Sequence, residues 1–333
     1  MERYQAVRFI VATYGTKHVG MLLAHLHSIT RSHPRALATV YWQEIPAAQI
    51  ESLKVAFPAF DFRETDFDFS GHWVRRIASK MRSWSRAVAE HADESMLVLA
   101  DADTLILRDL KPFFAAQDAD VIFTWKPENV PVNTGVMLVK AGPAATAFFQ
   151  RLSERTVEIL ESPVLYAEAN DPALGFGAAD QMALMQLVDF RREVTNYEVT
   201  IGGETVRLRA EPCSRLNETN SRPLDSDIHI IHYKGGWQPI LLQGRPFSRF
   251  RPRASSWEMF ALYLTTFREA LSHLNARSGT EYAARDFGVV VPFYFRAATG
   301  GFNALLYVLW RIKEAAKRAR LLLGGQPLPD SPR

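Results

Sequence analysis

The chain has 333 residues, 47% of them hydrophobic and 23% charged, enough for one large domain with an appendage or for two domains. Its one cysteine, Cys213, excludes an intramolecular disulfide and a cysteine-based zinc site, and suits a reducing compartment. The net charge of +3 is unevenly placed: residues 240–333 carry 14 Lys and Arg against 6 Asp and Glu, while the preceding body carries 25 against 30.

The chain enters an apolar strand at 7–13 without a leader of signal-peptide form, and it has no uninterrupted apolar run of about 18 residues. A cytoplasmic protein without a spanning helix is therefore expected. Helix-like and strand-like patterns then alternate: helix 17–32, strand 37–42, helices 47–57 and 73–91, and a buried strand in the run 96–107. A helical turn at 110–114, strands 120–124 and 135–139, and helices 144–160 and 178–188 follow. Short strands are expected at 198–201, 206–208 and 228–232. This is α/β order with a mainly parallel sheet.

Four constellations bear on chemistry. The first is Asp101 and Asp103, one residue apart at the end of an apolar run without polar alternation, which suits a strand covered on both faces. That edge is where open α/β sheets place ligands, and two carboxylates so close call for a cation. A hard divalent ion points in turn to a phosphate-bearing substrate. The plainer reading is a strand ending in an acidic turn. The second is Thr13-Tyr14-Gly15, where a polar loop could receive a nucleotide with Tyr14 stacked on its base; the alternative is an ordinary strand-to-helix turn. No glycine fingerprint or Walker sequence follows the strand, so phosphates must be held some other way. Third, Asn133-Thr134-Gly135 precedes an apolar strand, and Asp180-Gln181 opens a helix after a glycine loop. Both could grip sugar hydroxyls, or serve only as a turn and a helix cap. Fourth, an alternating strand delivers His232 into the loop Lys234-Gly235-Gly236, whose charge and backbone donors suit a diphosphate. His229 falls on the opposite face of that strand, so the two histidines do not chelate one ion together.

Taken in order, Ala100-Asp101-Ala102-Asp103, Asn133-Thr134-Gly135-Val136, Asp180-Gln181 and His232-Tyr233-Lys234-Gly235 resemble the GT-A fold nucleotide-sugar glycosyltransferases, particularly the family 8-like group, over residues 5–245. The resemblance implies a mixed sheet flanked by helices. It also implies a divalent metal, manganese or magnesium, held by Asp101, Asp103 and His232, with Asn133, Asp180 and Gln181 lining the sugar pocket. Donor contacts fall to Thr13, Tyr14, Ala102, Lys234 and Gly235, and to a basic residue on the preceding helix, Lys80 or Arg82. The family's His-x-x-Gly-x-x-Lys-Pro-Trp ending stands here as His232-Tyr233-Lys234-Gly235-Gly236-Trp237-Gln238-Pro239, with the lysine displaced.

The activity so implied is transfer of a sugar, of hexosyltransferase type, from a nucleotide-diphosphate sugar to a glycan or lipid-linked acceptor. Retention of configuration is expected; an inverting enzyme would need a base such as Glu64, Asp66, Asp68, Glu168 or Asp171. Competing readings are a non-catalytic nucleotide-sugar or glycan-binding protein and a haloacid dehalogenase-like phosphohydrolase. Nucleic acid is not an expected partner. The division expected is a catalytic domain at 1–248 and a basic helical extension at 249–333. Within the extension an aromatic helix spans 257–274, and residues 302–323 form an amphipathic helix suited either to an anionic membrane surface, which would make the protein peripheral on the inner face, or to packing on the domain or on a partner subunit. Asn217-Glu218-Thr219 matches a glycosylation acceptor, which carries no meaning without a leader.

Overall fold

The computed structural model describes residues 7–66, 73–93, 96–115, 118–127, 131–171, 173–174, 178–219, 224, 227–235, 237–243 and 254–289. The sheet strands are β1 (Arg8–Tyr14), β2 (Leu37–Gln43), β3 (Phe60–Glu64), β4 (Leu97–Asp101), β5 (Thr104–Ile106), β6 (Val121–Trp125), β7 (Val132–Val139), β8 (Asn196–Ile201), β9 (Glu204–Pro212) and β10 (Ile230–His232). The helices are α1 (Val19–Ser32), α2 (Ala47–Ala56), α3 (Trp73–Glu90), α4 (Lys111–Ala115), α5 (Pro143–Glu161), α6 (Pro163–Asn170), α7 (Ala179–Val188), α8 (Cys213–Leu216), α9 (Trp237–Gln243) and α10 (Ala254–Ser278).

Eight strands form one sheet in the order β3-β2-β1-β4-β7-β6-β9-β8, and β5 and β10 form a separate pair. The apolar run of β4 is buried on both faces, as its lack of alternation requires. Val98 and Ala100 join a core shared with α1, α2 and α10, while Leu97 and Leu99 face a second core built with α3, α5 and α7. The sheet is mixed, as the resemblance implies, rather than mainly parallel as the order of elements suggests. β1 runs parallel to β2 and β4, but β7 is antiparallel to both β4 and β6. Only residues 126–131 join β6 to β7, too few for the crossover that a parallel pair needs.

Three further differences from the sequence pattern bear on the site. The run 96–107 is two strands broken at Ala102 and Asp103, not one. β7 begins at Val132, so Asn133, Thr134 and Gly135 lie inside the strand, where the β6–β7 register shifts between Phe123 and Thr124. β3, α6, α8 and α9 also formed without a sequence signal strong enough to mark them.

The expected boundary at 248 falls in the segment 244–253, outside the described residues. Beyond it, α10 covers the expected aromatic helix and packs Phe260, Leu264, Phe267 and Leu274 into the core of α1 and α2. The amphipathic segment 302–323 lies outside the described residues. Among the described residues no helix is long and apolar enough to cross a membrane.

Candidate active site

The site is assembled by the break between β4 and β5. After Asp101 the chain turns through Ala102 and Asp103, and β5 leaves the main sheet to pair antiparallel with β10, with Thr104 opposite His232. The Thr104 hydroxyl donates to the Asp101 carbonyl at 2.9 Å, and the Tyr233 N–H donates to the Asp103 carbonyl at 2.7 Å. Residues more than 125 positions apart are thereby locked across one turn.

His232 Nε2 lies 3.0 Å from Asp103 Oδ1 and 3.7 Å from Asp101 Oδ2. One ligand atom from each of the three residues falls within a 4.8 Å cluster. On its other side His232 Nδ1 meets Asn217 Oδ1 at 2.9 Å. An amide oxygen only accepts, so Nδ1 carries a proton and Nε2 is the ring atom turned toward the two carboxylates. Two hard oxygens and one imidazole nitrogen brought together in this way fit a divalent metal. Burial opposes ionisation of Asp103, but His232 and the Gln238 amide, which donates to Asp103 Oδ2 at 2.9 Å, outweigh it and hold the carboxyl well below its usual range. At Asp101 burial dominates and raises the carboxyl despite Lys80 and His232.

Lys80, on α3, lies 3.4 Å from Asp101 Oδ1 and 3.1 Å from Asp180 Oδ2, and over the Trp84 ring. Burial works against its charge, yet the two carboxylates raise its pKa. Asp180 accepts the Thr134 hydroxyl at 2.7 Å and the Gln181 N–H at 3.0 Å. Burial would raise this carboxyl, but Lys80, Thr134 and Gln181 together lower it. It does not cap α7, whose N-cap is Ala178. Gln181 is half-buried at the same helix start. Asn133 accepts the Gly135 N–H through Oδ1, while its buried Nδ2 has no partner among the described residues.

The glycine of the Asn133-Thr134-Gly135 run has a different reason than ligand approach. A Cβ at Gly135 would stand 2.3 Å from His232 Cε1 and 3.0 Å from Asp101 Oδ2, so the imidazole occupies its missing side chain's space.

Of the remaining expected contacts, Ala102 is buried in the turn and Thr13 is buried with its hydroxyl unpartnered among the described residues. Tyr14 lies under the Arg76 guanidinium, 4.0 Å from its ring centroid, a neighbour that carried no sequence signal. Lys234 is half-buried, its pKa lowered by burial and then by Lys126, with Asp101 and Asp103 opposing. Gly235 turns with a φ of 60°, the left-handed region that favours glycine. Arg82 is exposed and lines a groove with Ser153, Glu154, Val157 and Glu158 of α5, so the structure does not bring it to the carboxylates. Sequence reading missed the roles of Gln238, Asn217 and Lys126, none of which stands out without knowing what it faces, and named Thr134 only within the Asn133-Thr134-Gly135 run.

No protein-family model and no curated protein matches the sequence. Solved structures do match the fold. The glycosyltransferase GlyE of Streptococcus pneumoniae TIGR4 superposes with a TM-score of 0.50 at 14% identity, over 80% of this chain and 64% of GlyE. The fold is GT-A-like. The galactosyltransferase LgtC, in complex with donor and acceptor sugar analogs, matches with a TM-score of 0.42 at 12% identity, over 87% of this chain and 99% of that one. Mouse xyloside xylosyltransferase 1 matches at 0.40 and 11% identity, over 68% and 97%. The chain thus spans a little under two thirds of the length of GlyE. On this GT-A-like fold the Asp101, Asp103 and His232 cluster sits at the carboxyl end of β4, the edge where such sheets receive ligands.

Proposed function

We propose that the protein is a metal-dependent glycosyltransferase of hexosyltransferase type that moves a sugar from a nucleotide-diphosphate sugar to a glycan or lipid-linked acceptor with retention of configuration. The observation that carries this reading is the convergence of His232 Nε2 with the Asp101 and Asp103 carboxylates. Those three residues would hold a divalent ion, and the mixed oxygen and nitrogen set favours manganese over magnesium. When bound, the ion supplies Lewis-acid charge for the departing diphosphate.

The chain's own groups serve the two charges of a glycosyl transfer, positive on the sugar and negative on the leaving group. Lys234 and the Gly235 backbone supply cation and donor on the diphosphate side. Lys80 orients Asp101 while tying it to Asp180. Asp180, Gln181 and the unpartnered Asn133 amide provide the polar wall for the sugar. Thr13 and Tyr14, at the end of β1, form the nucleotide side.

Retention is favoured because, among the described carboxylates that could serve as an acceptor base, three are otherwise placed; Asp68 lies outside the described residues. Asp66 is paired with Arg86 at 3.0 Å, and Glu168 and Asp171 line a groove with Pro163, Val164, Ala167 and Leu174. Asp180, held by Lys80 and Thr134, is an electrostatic partner and not a free base. A screen of nucleotide sugars with manganese, read by both thermal shift and free nucleoside diphosphate, tests the proposal. Turnover of one donor supports it, whereas stabilisation by a donor with no turnover in any acceptor mixture would make the chain a binding protein.

A further inference from the structure

We propose that Asn217 is a positioning residue that locks His232 in its metal-binding tautomer through a buried relay. This rests on the proposed cation site and extends it to a residue that touches neither metal nor substrate. The relay has one consistent direction. The Thr124 hydroxyl has a single proton, and the Asn133 carbonyl, 2.8 Å away, can only accept it. Toward Asn217 Nδ2, 2.9 Å away, the same hydroxyl must therefore accept. That fixes which end of the Asn217 amide faces Thr124, so its Oδ1 faces His232 Nδ1 at 2.9 Å and takes the ring proton. Nε2 is thereby the ring nitrogen left for a metal.

Every member of this chain is buried: Asn217 is 0%, Thr124 1%, and Asn133 and His232 2% exposed. Water therefore does not compete for these bonds, and a wrong amide orientation would leave buried donors facing each other. The backbone holds the partners in register, since His232 N–H donates to the Glu218 carbonyl at 2.9 Å and Glu218 N–H to the Ile230 carbonyl at 3.0 Å. The neighbour of Glu218 is thus held beside His232. Burial also disposes of the glycosylation reading of Asn217-Glu218-Thr219, because both ends of this amide are engaged inside the protein.

The test is a manganese titration, by electron paramagnetic resonance of the free ion, on the full chain and on Asn217→Ala, Asn217→Asp and Thr124→Val. Loss of a group that orients a metal-bound histidine weakens affinity by about 10–100-fold. Asn217→Ala is expected to show that loss, and Asn217→Asp, which still accepts from Nδ1, to recover most of it. Thr124→Val, which frees the amide to flip, is expected to lie between, with loss of the Nδ1–H histidine signature in nitrogen NMR. Unchanged manganese affinity in a folded Asn217→Ala protein overturns the proposal. If that variant does not fold, unchanged affinity in Thr124→Val overturns it equally. A wild-type chain that binds no manganese overturns the cation site itself, and with it this proposal; equal binding by wild type and variants overturns this proposal alone.

Discussion

Lys80 joins Asp101 of the metal cluster to Asp180 of the sugar wall, so neither carboxylate can be altered without the other feeling it. In Asp180→Asn the buried ammonium keeps only Asp101 as a full negative partner. That variant should lose about 1–3 kcal/mol of stability, because one charged hydrogen-bond partner is replaced by a neutral one. Its turnover should fall and its manganese affinity weaken, since Lys80 then competes harder for Asp101; calorimetry and metal titration on the same sample check both. Gly135→Ala is the complementary case. Its new Cβ would lie 2.6 Å from His232 Nδ1, so the ring must move and metal affinity should drop with only modest loss of secondary structure. Normal affinity would show that the ring relaxes freely. At this scale the residue types were legible and their partners were not. Asp101, Asp103 and His232 stood out because carboxylates and imidazole interrupt apolar strands, whereas Asn217 sat inside a glycosylation triplet and Gln238 in a helix start. What each faces depends on β5 pairing with β10, which leaves no local mark.

The elements that carry the site are held by histidines that stay neutral. His25 of α1 donates from Nδ1 to Thr104 at the start of β5, and its buried Nε2 has no partner among the described residues. His33, just after α1, accepts the Leu110 N–H at Nε2 and anchors the approach to α4. Burial lowers both to about 4, with Thr104 opposing at His25 and Asp109 opposing at His33. Below the ordinary histidine value of 6.5 the unfolded chain takes up protons that the folded chain refuses. Stability should therefore fall as pH drops from 6.5 toward 4 and flatten below that, with these two residues adding about two protons to the uptake on unfolding near pH 5. Denaturant melts at several pH values measure this; a stability that holds flat across that window would show the rings to be charged in the folded state. Element boundaries followed the hydrophobic period where it was long, as in α1, α3 and α5. They failed at β3 and at the start of β7, where short alternation and a register shift give the pattern no length to act on.

For the whole molecule, the order of strands and the two cores on either face of β4 were readable as α/β, because an apolar run without alternation demands cover on both sides. The antiparallel β7 was not, since direction depends on the six-residue connection rather than on strand composition. α10, set apart in sequence by its basic surroundings, packs on α1 and α2 because its apolar face is aromatic and continuous with their core. The central claim is that the cluster of Asp101, Asp103 and His232 is a cation site serving departure of a nucleoside diphosphate. It is tested most directly by the initial rate of nucleoside diphosphate release from an accepted nucleotide sugar, measured against manganese concentration for the full chain and for Asp103→Ala. The account expects saturable manganese dependence in the first and a fall of at least about 100-fold in the second, as removal of several kcal/mol of charge stabilisation requires. A rate that ignores manganese and chelator, or an Asp103→Ala protein that turns over normally, would contradict it.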